Sequence, residues 1–563
     1  MKKALSTLIA VLATSFMQAQ ILYVNNNDKT YQRIDTQETG DITFDEEQQL
    51  IRIELQDGIA SQFATSGITD ISPMNNYGRE LTYDTAPNVV FEANDINSYN
   101  EEIESIPEPD DEQNESFGDF VELYTTSATV NITFSETGVI IKKPAGLTTV
   151  TYTQDGNHIT INSTGSNTAY IVKGECSNGS LKIYSSKKFR ILLFGLKLTN
   201  PTGPAINIQS GKTVYCSIVN GKTNTLCDGA TYNAPAIGPD GLEEDQKGTF
   251  FSEGQIIFDG YSNGTGTLNV TSLGGHAICS DDYIRVRGGN INIISSAKDG
   301  FKTKDKFIVG RTDTYAPVIN INATNNGIDC SEGTLTIDAG KLDITSGSEA
   351  IKVVYEETVI DPAVIPDAVI NGGFIKITTT GEKSSAIKTT RNYTQKGGII
   401  QATVNGNGSK IINCDGAVAI SGGKITGFAN GTISSDATSA GGIKCNGNLE
   451  ITGGTIALKS NGKGSKGINC NSDVTIEAGD VTLVTTGENY TDIADDKKSR
   501  AITATNITIN GGTLIADAHD IALNATADIT INSGIVNAYS ATSTALSFEA
   551  TQTGGWLLTQ DAE

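Results

Sequence analysis

The chain has 563 residues, of which 60 are glycine and 12 proline, and 19% are charged. This composition excludes a collagen, a coiled coil and a low-complexity tail. The net charge is −25, but residues 21–120 alone contain 23 acidic and 4 basic side chains. The rest of the chain is nearly balanced and has no basic region typical of nucleic-acid binding, so nucleic acid is excluded as a partner.

The N-terminus has the pattern of a secretion signal over residues 1–20. Lys2 and Lys3 precede an apolar run, and small and polar residues follow it up to Gln20. The run is too short to span a bilayer, and no later segment contains the roughly 18 apolar residues that a transmembrane helix needs. The sequence therefore predicts an exported protein, located outside the cell, at its surface or in the periplasm, with no transmembrane segment.

Two segments separate this signal from the main body. Residues 21–73 contain short β-prone runs between Asn, Asp and Gly, which predicts a small β module. Residues 74–120 have no hydrophobic periodicity, and the stretch from Glu101 to Glu115 is strongly acidic. Such a segment repels itself and stays extended, so we predict a flexible acidic linker over 74–120.

From residue 121 to the end of the chain at 563, the sequence contains an internal repeat. An apolar residue, here called the anchor, is followed by a polar residue, a small residue, a turn and a second apolar strand. Successive anchors are 21 to 36 residues apart. This spacing is typical of an all-β fold, the right-handed parallel β-helix, a solenoid with three short strands per coil. The anchors are Ile278, Phe301, Ile328, Ile351, Ile387, Ile412, Ile443, Ile468, Ile502, Leu523 and Leu546.

Four of the eight cysteines follow an anchor by two residues, in a column that otherwise holds small inward-facing side chains. They are Cys330, Cys414, Cys445 and Cys470. The position predicts thiols packed in the core, and a disulfide such as Cys414–Cys445 is the alternative. Three histidines in the whole chain make a histidine-based metal site or catalytic triad a poor interpretation.

The residue directly after each anchor should face outwards, because side chains alternate along a strand. We call this set the lysine column: Cys279, Lys302, Asp329, Lys352, Lys388, Asn413, Lys444, Asn469, Thr503 and Asn524. Its four lysines predict a surface for an anionic polymer. The alternative is internal pairing, since Asp329 lies between Lys302 and Lys352 and would neutralise both.

Further charged residues lie near this column. Arg285 and Arg287 alternate with inward-facing apolar residues, so we expect both to face solvent and to contribute to ligand binding. Carboxylates flank the turns of consecutive coils at Asp281, Asp282, Asp299, Asp305, Glu332 and Glu349. Carboxylates and carbonyls from stacked turns supply the six to eight oxygens that Ca²⁺ takes, so calcium is predicted there, and solvated turns are the alternative.

Several segments resemble a known family. They include 220–226, 264–270, 276–282 and Ala297-Lys298-Asp299-Gly300-Phe301-Lys302. They resemble the secreted bacterial carbohydrate-binding β-helix proteins, similar in fold to pectate-lyase-like polysaccharide lyases. The resemblance covers roughly residues 121–550 and implies calcium and an acidic, pectin-like polysaccharide such as polygalacturonate, without established catalysis. The chain departs from the family where Asn326, Ser385 and Gly441 replace the usual acid before the anchor.

The sequence therefore predicts calcium-assisted, non-catalytic binding of an acidic polysaccharide. A polysaccharide lyase is the first alternative, with Arg285 or Lys302 as the base that removes a proton beside a uronate carboxylate. The second alternative is a surface adhesin, since flat solenoid faces also bind other macromolecules.

Overall fold

The computed structural model describes residues 117–562, apart from 240, 311–315, 356–363 and 492–495, together with strands between residues 21 and 72. The predicted signal and most of the predicted linker lie outside the described residues. Two short 3-10 helices, Phe117–Asp119 and Val121–Leu123, precede the main body. Within the described part of the chain, no helix is both long and apolar enough to cross a membrane.

Six strands between residues 21 and 72 form two antiparallel sheets of three strands each. In one sheet Ile21–Asn26 pairs with Tyr31–Asp35 and with Ile68–Ser72. The strands of the other sheet are Thr39–Asp45, Leu50–Leu55 and Ala60–Ala64. The β-prone runs of this segment are thus strands.

The main body is a parallel β-helix, as predicted. All eleven anchors pair with one another in register along one sheet, from Ile278 to Leu546. The same row extends towards the N-terminus through four further coils, at Phe250, Ile206, Leu181 and Ile159. We call the sheet that contains this row the anchor sheet.

Each complete coil contributes one strand to each of three sheets. The anchor sheet contains His158–Ser163, Ser180–Ser185, Ile206–Gln209, Gly248–Ser252, His276–Ser280, Phe301–Thr303, Ile328–Cys330, Ile351–Val353, Ile387–Thr389, Lys410–Cys414, Gly441–Cys445, Lys466–Cys470 and the first halves of Arg500–Ile509 and Leu523–Ile531. The second sheet contains Ala128–Ser135, Thr168–Cys176, the first half of Phe189–Thr199, Val214–Ile218, Ile256–Asp259, Ile284–Val286, Phe307–Val309, Leu335–Ile337, Ala368–Ile370, Tyr393–Gln395, Val418–Ile420, Leu449–Ile451, Val474–Ile476, the second halves of Arg500–Ile509 and Leu523–Ile531, and Thr551–Gln552. The third sheet contains the end of Phe189–Thr199, Thr223–Cys227, Thr267–Ser272, Asn290–Ser296, Val318–Ala323, Lys341–Ser346, Phe374–Thr379, Ile399–Val404, Lys424–Ala429, Thr455–Ser460, Asp480–Thr485, Thr513–Ala518, Ile535–Ser540 and Trp556–Gln560.

The N-terminal end of the β-helix departs from the parallel pattern. Gly138–Lys142 pairs antiparallel with Ala128–Ser135, and Val150–Asp155 pairs antiparallel with His158–Ser163. These added strands cover backbone groups that an open stack would expose to other chains. At the other end, Trp556–Gln560 adds a last parallel strand to the third sheet.

The core is a continuous column of aliphatic side chains that includes every anchor from Ile278 to Leu523. The residue directly before several anchors, such as Ala350, Ala386 and Ile411, is also in this core. Two consecutive inward residues break the strict alternation of a strand, so the chain bends there and the residue two before the anchor turns outwards. This bend creates a second outward column on the anchor sheet.

The four cysteines of the inward column are buried in this core, which confirms their predicted position. All eight cysteines are free thiols. Turns of successive coils approach closely: a Cβ at Gly333 would lie 1.4 Å from the Asp305 carbonyl oxygen, so no larger residue fits. Asparagine side chains link other turns, as where Asn430 Nδ2 donates to Asn405 Oδ1 at 2.9 Å.

Candidate functional site

The outer surface of the anchor sheet carries two adjacent columns of side chains. One is the lysine column. The other, which we call the flanking column, lies two residues before the anchors and consists of His276, Asp299, Asn326, Glu349, Ser385, Lys410, Gly441, Lys466 and Arg500. Side chains of the two columns contact each other, as Asn326 Nδ2 donates to Asp329 Oδ2 at 3.1 Å. Together they form one surface, the anchor face.

In the N-terminal part of the anchor face, acids and bases are paired. Asp329 lies 3.0 Å from Lys302 and 3.4 Å from Lys352. The expected pairing of Asp329 with both lysines is therefore confirmed. The aspartate is only 3% exposed, so its charge is compensated by these two neighbours rather than by water.

Glu349 of the flanking column compensates the next lysine. Its Oε1 accepts a hydrogen bond from Lys388 Nζ at 3.0 Å, and its Oε2 accepts one from Ser348 Oγ at 2.7 Å. Burial alone would raise the pKa of Glu349, but the Ser348 hydrogen bond and the Lys388 charge hold it below its ordinary value. Lys352 and Lys388 are neighbours in register, so this acid separates two like charges.

Asp299 is enclosed by donors in the same way. His276 Nδ1 lies 3.1 Å from its carboxylate, and the Asn325 side chain and the Asn326 backbone N–H donate to it at 2.7 and 2.9 Å. Burial opposes ionisation of Asp299, yet these donors lower its pKa. The residues Asp299, Lys302, Asp329, Glu349 and Lys352 form what we call the paired section.

The C-terminal part of the anchor face is different, because Lys410 and Lys444 donate to neutral oxygens. Lys410 Nζ donates to the Gly408 carbonyl at 2.9 Å. Lys444 Nζ donates to the side-chain oxygens of Asn446 and Asn471 at 2.9 and 2.6 Å. Lys466 Nζ lies 3.5 Å from Ser439 Oγ. We call Lys410, Lys444 and Lys466 the lysine section.

Burial changes the acidity of these ammonium groups. Burial, reinforced by the charge of Lys444, lowers the pKa of Lys410 to about 8. Burial also lowers the pKa of Lys444. A low pKa in a lysine means that its protonated form is poorly stabilised, so this section holds positive charge at a free-energy cost. Sequence reasoning missed Lys410 and Lys466, because strict alternation places the residue two before an anchor inside the core.

The two arginines predicted to face solvent do lie on the outer side of the second sheet, but the prediction of exposure is wrong. Arg285 and Arg287 are 6% and 0% exposed. The segment 117–124 packs over them: Arg285 Nη1 donates to Asp119 Oδ2 at 2.7 Å. Neither guanidinium group is accessible to a polymer. Arg285 is therefore also badly placed for the base of a lyase reaction, while Lys302, the other candidate, is ion-paired with Asp329.

Segment 117–124 is held by more than these ion pairs. Val121 and Tyr124 pack against Tyr215 and Ile257 in a small apolar cluster of their own. The Phe120 ring lies 5.2 Å from the Arg287 guanidinium, and the Tyr215 hydroxyl donates to the Gly118 carbonyl at 2.6 Å. Contacts between positions more than 90 residues apart could not be predicted from the local sequence pattern. Residues 117–120, placed by the sequence at the end of the linker, thus lie against the β-helix.

The six carboxylates predicted to bind calcium do not converge on one point. Four of them lie beside a basic side chain. These pairs are Asp281 with Lys247, Asp299 with His276, Glu332 with Lys304, and Glu349 with Lys388. Asp282 and Asp305 remain as two neighbouring acids on successive coils, and burial together with the Asp305 charge raises the pKa of Asp282. Among the described residues, no group of three or more His, Cys, Asp or Glu forms a metal-binding arrangement.

The protein is thus a β-solenoid whose successive coils place charged side chains along one side. Extended surfaces of this kind bind extended partners in other solenoid proteins. The chain belongs to the family of carbohydrate-binding domain-containing proteins, whose model matches residues 155–461 and 412–544. The matched segments include the whole anchor face from His276 to Asn524. The anchor face therefore lies within the part of the chain that matches a carbohydrate-binding family.

Two further comparisons complete the description. A solved polysaccharide lyase-like protein from C. thermocellum, described as a gadolinium derivative, is 22% identical, with a TM-score of 0.37. The match covers 52% of this chain and 96% of that one. No curated protein matches the chain significantly.

Proposed function

We propose that this protein binds an acidic polysaccharide of the polygalacturonate type along the anchor face. The observation that carries the proposal is the series of lysines on coils about 4.8 Å apart, in which Lys410 and Lys444 donate to neutral oxygens. A polyuronate presents carboxylates along an extended chain, and charge-assisted hydrogen bonds to lysine would hold them. The signal-like residues 1–20 support binding outside the cytoplasm.

Not all of the predicted ligand-binding residues contribute equally to this proposal. Lys444 is the principal contact of the lysine column, because Lys388 is paired with Glu349. Lys302 and Lys352 contribute less, because Asp329 neutralises both. Arg285 and Arg287 are left out, because segment 117–124 buries them.

The test is isothermal titration with polygalacturonate and with a neutral glucan as the control polymer. We expect binding to polygalacturonate alone, weakening as salt concentration rises, because exposed charges are screened. Lys444→Ala should reduce affinity roughly tenfold, the worth of a charge-assisted hydrogen bond, whereas Lys424→Ala, on the third sheet, should leave it unchanged. Equal loss in both variants, or equal binding of the neutral glucan, would refute the proposal.

We also propose that calcium assists at the turn formed by Asp282 and Asp305. The fitting part of this site is a pair of neighbouring carboxylates. A divalent cation would favour their ionised forms against the burial and the Asp305 charge that raise the pKa of Asp282. Thermal unfolding with millimolar calcium should show a higher midpoint than with a chelator, because a ligand of the folded state stabilises it. Asp305→Asn should abolish the difference, and Asp343→Asn should not. An unfolding midpoint that is the same with calcium and with a chelator would refute calcium binding at this turn.

A further inference from the structure

The flanking column contains a gap that the backbone imposes. Gly441 lies in register between Lys410 and Lys466, and a Cβ at this position would be 2.2 Å from the Lys466 carbonyl oxygen. No side chain therefore fills the space between these two lysines. Lys444 stands on the same coil as Gly441 in the adjacent column, but its Nζ donates to Asn446 and Asn471, beyond the end of the strand.

Two acids near this gap have basic partners of their own. The carboxylate of Glu349 pairs with Lys388 on the preceding coil. Asp436, in the turn that precedes Gly441, pairs with Lys383 and accepts a hydrogen bond from Ser434. Lys410 Nζ donates to the Gly408 carbonyl, which compensates a positive charge only in part.

A second, independent observation lies one coil away. Ser385 is 1% exposed, and its Oγ has no hydrogen-bond partner within the described residues. In the flanking column it directly precedes Lys410, because the Ala386 N–H donates to the Lys410 carbonyl at 2.9 Å. A buried hydroxyl without a partner is costly, and an oxygen-rich ligand beside Lys410 would supply one.

We infer that Ser385 and Lys410 form a discrete subsite for one oxyanion group of a glycan. The inference rests on the proposed function and deepens it, because it assigns the anion to particular coils of the anchor face. A uronate carboxylate and a sulfate ester share the required chemistry, namely two or more negatively charged oxygens that accept hydrogen bonds from an ammonium group and a hydroxyl.

The inference predicts that the affinity for the glycan depends on pH. A bound anion favours the protonated form of Lys410, whose pKa in the free protein is about 8. Binding above that pH must therefore be accompanied by proton uptake, and affinity falls as pH rises. Arginine stays protonated over the whole range, so Lys410→Arg should remove this dependence.

The experiment measures the affinity of the protein for a galacturonate oligomer and for a sulfated neutral oligosaccharide between pH 6.5 and 9.5. This interval spans the pKa of Lys410, which is about 8. The proteins are the wild type, Lys410→Met, Lys410→Arg and the control Lys302→Met from the paired section. We expect a roughly 10- to 100-fold loss for Lys410→Met, the worth of a charge-assisted hydrogen bond. We expect less than about threefold for Lys302→Met, since Asp329 already neutralises that lysine.

Each outcome separates the two proposals. Binding of the sulfated glycan alone, lost in Lys410→Met, supports the subsite and refutes polygalacturonate as the ligand. Binding of the galacturonate oligomer that Lys410→Met leaves intact overturns the subsite and leaves the proposed function standing. Failure of the wild type to bind either glycan overturns both. Equal pH dependence in wild type and Lys410→Arg also overturns the role of Lys410.

Discussion

The paired section and the lysine section lie on the same sheet, a few coils apart, but their charged side chains have different kinds of partner. In the paired section each lysine has an acid within 4 Å: Asp329 for Lys302 and Lys352, and Glu349 for Lys388 at its border. In the lysine section the side chains contact carbonyl, amide and hydroxyl oxygens. Removing one member of a buried pair leaves the other charge uncompensated. A concentration of like charges costs free energy that a bound ligand of opposite charge would offset.

The largest expected effect is on stability in the paired section. Asp329→Ala leaves Lys302 and Lys352 without their shared counterion, in a position where the aspartate is almost fully buried. We expect a loss of about 2–4 kcal/mol in the free energy of unfolding, somewhat below the value for a fully buried pair because both lysines are partly exposed. Denaturant unfolding measures it.

The matched control is Asp343→Ala. Asp343 pairs with Lys376 at 3.1 Å on the third sheet, where the side chains of Lys376 and Asp343 are 44% and 34% exposed. Its removal should cost less than about 1 kcal/mol. Similar losses in the two variants would mean that the paired section gains no special stability from its ion pairs.

The next largest effect is a gain in the free energy of unfolding. Lys410→Met should increase stability at pH 7 by roughly 1–3 kcal/mol, because it removes a charge that the folded protein disfavours. The folded-state pKa of Lys410 is about 8, against 10.5 for an unperturbed lysine. Between these values the unfolded chain binds more protons, so wild-type stability rises with pH and the advantage of the variant disappears.

Thermal unfolding of both proteins from pH 7 to pH 10.5 measures this difference, over the interval between the two pKa values. Lys424→Met serves as the control, because it removes a lysine from another sheet. A stability gain in Lys410→Met that stays constant up to the highest pH would contradict the assignment of the cost to the charge. A loss of stability at pH 7 would contradict it directly.

The comparison also shows what the sequence could and could not predict. The anchor spacing predicted the β-helix and the register of all eleven anchors, because coil stacking repeats a local pattern. The pairing of Asp329 with Lys302 and Lys352 followed from the same register. Arg285 and Arg287 were misjudged, since the segment that buries them lies about 165 residues away in the sequence.

Lys410 was missed for a different reason, which is local. The alternation rule holds along a strand, but the core position of Ile411 beside Ile412 reverses it just before the anchor. A pattern of two consecutive apolar residues at that point signals the bend. The same rule overestimated the exposure of Cys279, which follows an anchor and is nonetheless buried.

The smallest expected effect on stability distinguishes a ligand-binding hydroxyl from a packing defect. Ser385→Ala removes a buried oxygen that has no partner in the described part of the chain, so the free energy of unfolding should change by less than about 1 kcal/mol. Affinity for the galacturonate oligomer should nevertheless fall, by roughly three- to tenfold, because the ligand loses one hydrogen bond. Calorimetry and thermal unfolding of the same preparation measure both quantities.

Ser465→Ala is the matched control for this last substitution. Its hydroxyl is likewise buried and without a hydrogen-bond partner among the described residues, but it lies outside the proposed subsite. Both variants should unfold like the wild type, and only Ser385→Ala should bind the glycan less tightly. If the two serines behave alike in binding, the unpartnered hydroxyl at 385 is a feature of tight coil packing. The contrast between the two sections of the anchor face would then rest on the lysines alone.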